Sequence, residues 1–300
     1  MTPSGCWLHA QAAVIVSAMT NPRRTWFITG ASRGFGRVWA QAALARGERV
    51  AATARDVATL EPLVSEYGDA IVTLQLDVTD RAACFNAVGE AHERLGRLDV
   101  VVNNAGYGLF GMVEEVTEEQ ARAQLETNVF GALWVTQAAL PFLREQGGGH
   151  ILQVSSIGGV GAFPNVGIYN ASKWALEGFS ESLAQEVAGF GIKITIVEPG
   201  PFGTDWAGAS AVHTDPNPAY DAVREARARS RSAMTPGDPE ATAAAILTLV
   251  DADEPPLRLF LGTMPLPTAE RLYADRLMTW RAWRDVADAA QGPLAAPTGA

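Results

Sequence analysis

Cysteine is nearly absent: of 300 residues only Cys6 and Cys84 carry thiols. They stand far apart and form no C-x-x-C, which argues against a disulfide scaffold and a cysteine-held zinc and suits a reducing, cytoplasmic compartment. Histidine is scarce too, and His9, His92, His150 and His213 form no H-E-x-x-H. Each reads as structural or exposed, and no metal site is expected. Long apolar runs are missing, since none reaches the roughly 18–20 residues of a membrane span. Residues 8–18 are mildly apolar, but no Lys or Arg precedes them, as a secretory signal would require. The plainer reading makes Met19 the functional start, residues 1–18 a loose extension, and 1–24 a flexible lead into the fold. Positive charge is also in deficit, with 23 Lys and Arg against 33 Asp and Glu for a net charge of −10. That disfavours a nucleic-acid partner, whose phosphates need clustered bases. One exception is the 224–231 stretch, with four arginines. It reads as a solvated helix face, with a substrate or a membrane as the alternative partner.

What is present is apolar residue, 48% of the chain, enough for one large core. Strand-like runs at 26–28, 49–53, 71–76, 99–103, 151–155, 193–197 and 258–261 alternate with helical spacing. Helices are expected over 35–46, 57–67, 79–95 (Thr79 as N-cap, Gly96 as stop) and 169–190. Thr117 and Gln120 form a capping-box pattern that opens a helical region running to 145. Continuous apolar strands such as the three valines after Asp99 suit burial on both faces. The rhythm predicts a single α/β domain over 25–262: a doubly wound parallel sheet of about seven strands, helices on both faces, ligands at the strands' carboxyl ends. Two segments break it, a 201–237 stretch placed to act as a lid, and a C-terminal region over 263–300. The latter holds an amphipathic helix at 268–290 with Leu272, Leu277, Trp280 and Trp283.

After the first strand comes Thr29-Gly30-Ala31-Ser32-Arg33-Gly34-Phe35-Gly36, then a helix. Glycines let the backbone approach a pyrophosphate, and a helix N-terminus offers free N–H groups. The spacing is G-x-x-x-G-x-G. It resembles the nucleotide turn of the short-chain dehydrogenase/reductase family. Strand two ends Ala54-Arg55-Asp56, with Ala54 where the family's NAD-preferring members carry an acid. Arg33 and Arg55 can fork onto a ribose 2′-phosphate, which predicts NADP(H). The alternative gives Asp56 the acidic role and leaves Arg55 a surface charge. The resemblance, from about residue 25 to 262, extends block by block. Asp77-Val78 resembles its adenine-contacting pair, and Asn103-Asn104-Ala105-Gly106 its N-N-A-G. Pro199, Gly200 and Thr204 resemble its nicotinamide-contacting segment.

Tyr169 and Lys173 lie four apart, on one helical face. A phenol's ordinary pKa is about 10, and a nearby ammonium lowers it toward working pH. Ser156 precedes Tyr169 at the family's spacing, with Ser155 as the neighbouring alternative. Asn128 matches the family's fourth residue, or else is a helix-interior packing residue. The resemblance implies hydride transfer from NADPH to a carbonyl carbon, with Tyr169 donating the proton. Ser156 holds the oxygen, Lys173 tunes Tyr169 and binds the nicotinamide ribose, and Asn128 positions a relay water.

Val160, Phe163, Val166, Phe202, Trp206, Leu109 and Phe110 suggest an apolar pocket for a hydrophobic aldehyde, ketone or alcohol, or are ordinary loop packing. The 255–259 run Pro-Pro-Leu-Arg-Leu followed by Gly262 resembles a branch near hydroxysteroid dehydrogenases. Family members self-associate, so a homodimer or homotetramer is expected. Ala132, Val135, Phe142, Phe179 and Leu183 are its candidate face, unless they pack on the sheet. The rival readings are a catalytically silent NADP sensor or scaffold, an epimerase or dehydratase of the extended family, and an alcohol dehydrogenase working oxidatively.

Overall fold

A computed structural model describes residues 23–292 apart from Ala209 and Ala233. The proposed extension over 1–18 and most of the 291–300 tail lie outside the described residues. A parallel sheet of seven strands forms the centre, ordered β3-β2-β1-β4-β6-β7-β9. Its strands are β1 (Thr25–Ile28), β2 (Arg49–Ala54), β3 (Ile71–Gln75), β4 (Val100–Asn103), β6 (Gly149–Val154), β7 (Ile192–Pro199) and β9 (Arg258–Leu261). Two further two-residue strands, β5 (Leu109–Phe110) and β8 (Val212–His213), pair parallel outside it.

Alternate side chains of each strand feed opposite layers, as the pleat requires. Trp26, Ile28, Val100 and Val102 join one layer with Trp39 and Leu44 of α1 (Gly34–Ala45). Phe27 and Val101 join the other. There they meet Val88 of α3 (Arg81–Leu95), Leu143 of α5 (Gly131–Glu145) and Leu183 of α7 (Gly167–Val187). Side chains buried this fully, Trp39 among them, contribute about 1.5–3 kcal/mol each. The predicted sheet and its two helical faces are therefore present.

Element ends follow local chemistry. Asp80, not Thr79, caps α3: its carboxylate accepts from Ala83 N at 2.9 Å, while the Thr79 hydroxyl donates to Asp77. Asp80 wins because an Asp carboxylate one residue later reaches the same free amides. Gly96, at φ 82°, closes the helix as expected. Thr117 and Gln120 do form a capping box, opening α4 (Glu118–Leu125). The helical region expected to run on from there to 145 does so, continuous through a π-turn at Glu126–Phe130 into α5. Apolar periodicity cannot reveal one inserted residue in the hydrogen-bond ladder.

The amphipathic C-terminal helix is two helices, α10 (Pro265–Ala282) and α11 (Arg284–Ala289). Leu272 packs against Gly161, but Leu277, Trp280 and Trp283 are 42%, 62% and 64% exposed. Of the suggested self-association face, Ala132, Val135 and Leu183 are buried within the chain, and Val135 and Leu183 pack in the core under the sheet. Phe142 stacks on His92 at 4.2 Å. No helix among the described residues is long and apolar enough to cross a membrane.

Candidate active site

The sheet is entered from β1 in both directions, β2 on one side and β4 on the other. Loops leaving these strands diverge and open a crevice at their carboxyl ends. A cavity of about 1050 Å³ fills it.

The glycine turn forms its floor. Gly30 and Gly34 have φ of 65° and 55°, conformations that side chains disfavour. A Cβ on Gly36 would stand 2.5 Å from both Gly30 O and Asn104 Nδ2. Asn104 clamps the turn from β4: its side-chain amide donates to Thr29 O at 2.9 Å and Gly30 O at 3.1 Å. Thr29 Oγ1 in return accepts from the backbone N–H of Asn104 and of Ala105. Free amides at the start of α1, with no side chain above them, make a cradle that fits a pyrophosphate. Gly30, Ser32, Arg33, Gly34 and Phe35 line the cavity; Gly36 is buried beneath and shapes the turn.

Arg33 and Arg55 both border the cavity and are exposed; neither makes an ion pair among the described residues. Asp56 is absent from the wall, and its carboxylate accepts from Ala58 N at 3.0 Å to cap the next turn. Asp77, Val78, Asn104, Ala105 and Gly106 follow along the wall, as do Pro199, Gly200 and Thr204. The Gly200 N–H donates to Leu261 O at 2.9 Å, and Thr204 stands across from Gly34.

Ser156, Tyr169 and Lys173 meet at the cavity's middle. Ser156 Oγ accepts from Gly158 N at 3.0 Å, which fixes it at the end of β6. Ser155 is turned toward Gly159 and Glu177 instead, and its hydroxyl finds no partner. Tyr169 and Lys173, on α7, are both buried. Lys173 Nζ donates to Val154 O at 2.8 Å and lies 5.8 Å from the Tyr169 ring centroid. Burial pushes Lys173 down to about 8, against the Glu177 carboxylate. The lowering expected for Tyr169 is not found. Burial pushes the phenol up to about 12, and the Ser156 hydroxyl only partly offsets it. Removing the phenolate from water costs more than that hydroxyl returns.

Asn128 sits in the π-turn, 2% exposed. Its Oδ1 accepts from Tyr107 N at 3.1 Å, and its Nδ2 donates to Tyr107 O and Ser172 Oγ, both at 3.1 Å. The inserted residue turns this amide toward the loop after β4, where it lies near Gly106, close to Lys173 Nζ.

The 201–237 segment closes one side. Phe110, Phe163, Val166, Phe202 and Trp206 line the cavity as expected. Leu109 and Val160 do not; both are buried in apolar packing. The arginine-rich stretch is a solvated helix, as read, and also a cavity wall. In α8 (Asp221–Ser232) no residue is buried; Arg229 pairs with Glu225 and Arg224 with Asp221 of the same helix, while Arg224, Arg227 and Arg231 border the cavity. Spacings of three and four put those three on one helical face, a signal legible only once the lid's position is known. Arg224 is tied to Glu115 at 2.7 Å. Burial opposes the Glu115 charge. Hydrogen bonds from Asn217, Arg224, Met112 and Thr214 overcome it and hold the carboxyl down at about 2.

Comparison with known proteins agrees with this geometry. The family model for short chain dehydrogenases matches residues 24–214. The chain is 45% identical over 243 residues to oxidoreductase BOA17 of Botryotinia fuckeliana, covering 80% of this chain and 89% of that protein. A short-chain dehydrogenase structure from Streptomyces avermitilis superposes with a TM-score of 0.85 at 40% identity, covering 91% of this chain and all of that one. Another, from Burkholderia cenocepacia in complex with NADP, gives 0.69 at 27% identity over 86% of this chain and 96% of that one. These likenesses establish that the chain belongs to the short-chain dehydrogenase/reductase family of NAD(P)-dependent oxidoreductases.

Proposed function

We propose that the protein is an NADPH-dependent reductase of apolar aldehydes or ketones, the reaction being reversible. The observation that carries this reading is the convergence of Ser156, Tyr169 and Lys173 in one cavity with the glycine cradle and two unpaired arginines. Arg33 and Arg55 would hold a ribose 2′-phosphate, and the engagement of Asp56 in capping speaks against a ribose hydroxyl partner there. When bound, NADPH supplies the hydride.

The chain's own groups manage the proton. A phenol near 12 stays protonated at neutral pH and is a loaded donor to a carbonyl oxygen gathering negative charge. Ser156 Oγ, fixed by Gly158, stands beside that oxygen's position and steadies it. Lys173, at about 8, is the stronger acid of the pair and restores the proton to Tyr169. Asn128 holds the loop beside Lys173 and lines the way by which the ammonium is recharged. A cytoplasmic location and self-association as a homodimer or homotetramer complete the proposal. Cys84, a buried free thiol, fits the former.

Tyr169→Phe tests the reading. Turnover of medium-chain ketones, followed by NADPH absorbance, should fall by about a thousandfold or more, while the NADPH dissociation constant changes little. Normal turnover in this variant would remove Tyr169 from the chemistry.

A further inference from the structure

The lid brings more positive charge to the substrate end of the cavity than an apolar ketone needs. Arg227 lies over the Phe163 ring, Cζ 5.0 Å from the centroid, and Arg231 lies over Phe110 at 5.6 Å. Phe110 meets Trp206 at 5.1 Å, and Trp206 meets Tyr169 at 4.9 Å. Arg231 therefore stands at the end of an aromatic wall that begins at the catalytic phenol, and Arg227 stands over Phe163, which packs against the same cluster of Phe110, Val166 and Tyr169. Neither makes an ion pair or a side-chain hydrogen bond among the described residues, in contrast to Arg224 and Arg229 of the same helix. Asp77 and Asp205, the carboxylates on the cavity wall, pair with neither.

Two like charges on successive turns repel, and Arg227, unlike the exposed Arg231, is also partly withdrawn from water. Burial and the neighbouring Arg231 both push Arg227 below its ordinary value. An anion between them would relieve both costs, and the planar fork of arginine suits carboxylate and phosphate oxygens. The residues proposed for the cofactor's 2′-phosphate are others, Arg33 in the turn after β1 and Arg55 after β2.

We propose that Arg227 and Arg231 form an anion-binding subsite, so that the natural substrate is an apolar carbonyl compound ending in a carboxylate or a phosphate ester. This rests on the reductase reading, with the aromatic wall taking the hydrocarbon and the lid helix the charge.

The test is calorimetric titration of the full chain, saturated with NADP⁺, by decanoate, decyl phosphate and decanol. At least one anion should bind about tenfold more tightly than decanol, as charge-assisted hydrogen bonds imply. Added salt should weaken that preference, and whichever anion gains more identifies the headgroup. Arg227→Gln/Arg231→Gln should abolish it, and Arg227→Lys/Arg231→Lys should retain part. Equal or absent binding of all three ligands, or a preference that survives the glutamine pair, overturns the subsite. The two readings fail separately. Loss of NADP⁺ binding itself counts against the reductase, whereas NADP⁺ binding without anion preference counts against the subsite alone.

Discussion

Arg33 and Arg55 act as single side chains, so their effect can be measured singly. Each would offer a forked donor to a phosphate at an exposed rim, where water and salt screen the charge. Arg55→Ala should lower kcat/KM with NADPH by about tenfold and leave NADH nearly unaffected, with Arg33→Ala adding to the loss. Parallel initial-rate measurements with both coenzymes decide it, and an equal fall for NADH would assign Arg55 to folding. Neighbouring Asp56 shows what the sequence could and could not say at this scale. It left that acid as a rival for the ribose, and only the capping contact with Ala58 gives it another partner. The same limit holds at Tyr169. Proximity of a lysine was legible from the i,i+4 spacing, but burial, which reverses the sign of the shift, was not.

The elements divide into those whose signals are local and those whose placement is tertiary. Apolar runs, Gly96, and the Thr117–Gln120 box marked the central strands and several helix ends, because each depends on residues a few positions apart. The π-turn under Asn128 and the inward face of α8 depend on what packs against them, which no periodicity reports. Glu115 is the hinge of that second case. It follows β5, yet it accepts hydrogen bonds from Thr214, Asn217 and Arg224, all in the lid. Glu115→Gln keeps the shape but removes the charge that holds Arg224. The lid should open more often, and limited trypsin digestion at the arginines of α8 should speed up by about tenfold or more. KM for the carbonyl substrate should rise with it, and unchanged digestion would show that the lid is held elsewhere.

For the molecule as a whole, acid and base limits to stability come from opposite ends of the sheet's buried polar groups. His150 on β6 is buried, bonded to Thr195 Oγ1 at 2.9 Å. Burial first, then Lys193 and Arg24, push it down to about 3 from 6.5. Its folded value lies below its unfolded one, so its contribution is complete above about 6.5 and drains away as pH falls toward about 3. Glu115 adds to that limb below its ordinary 4.5. Glu198 on β7 behaves oppositely. With Glu177 it shares the Arg258 guanidinium, and burial, then the Glu177 charge, raise it above the ordinary 4.5. That contribution is complete below 4.5 and is lost as pH rises through the raised value. The melting temperature should therefore peak at mildly acidic pH, where neither buried group is forced to ionise. In calorimetric scans across pH, His150→Asn should flatten the fall on the acid side, and Glu198→Gln the fall on the alkaline side. An alkaline limb identical in wild type and Glu198→Gln would mean that Arg258 keeps both carboxylates ionised throughout. The shared guanidinium would then be a paired ion cluster rather than a proton store.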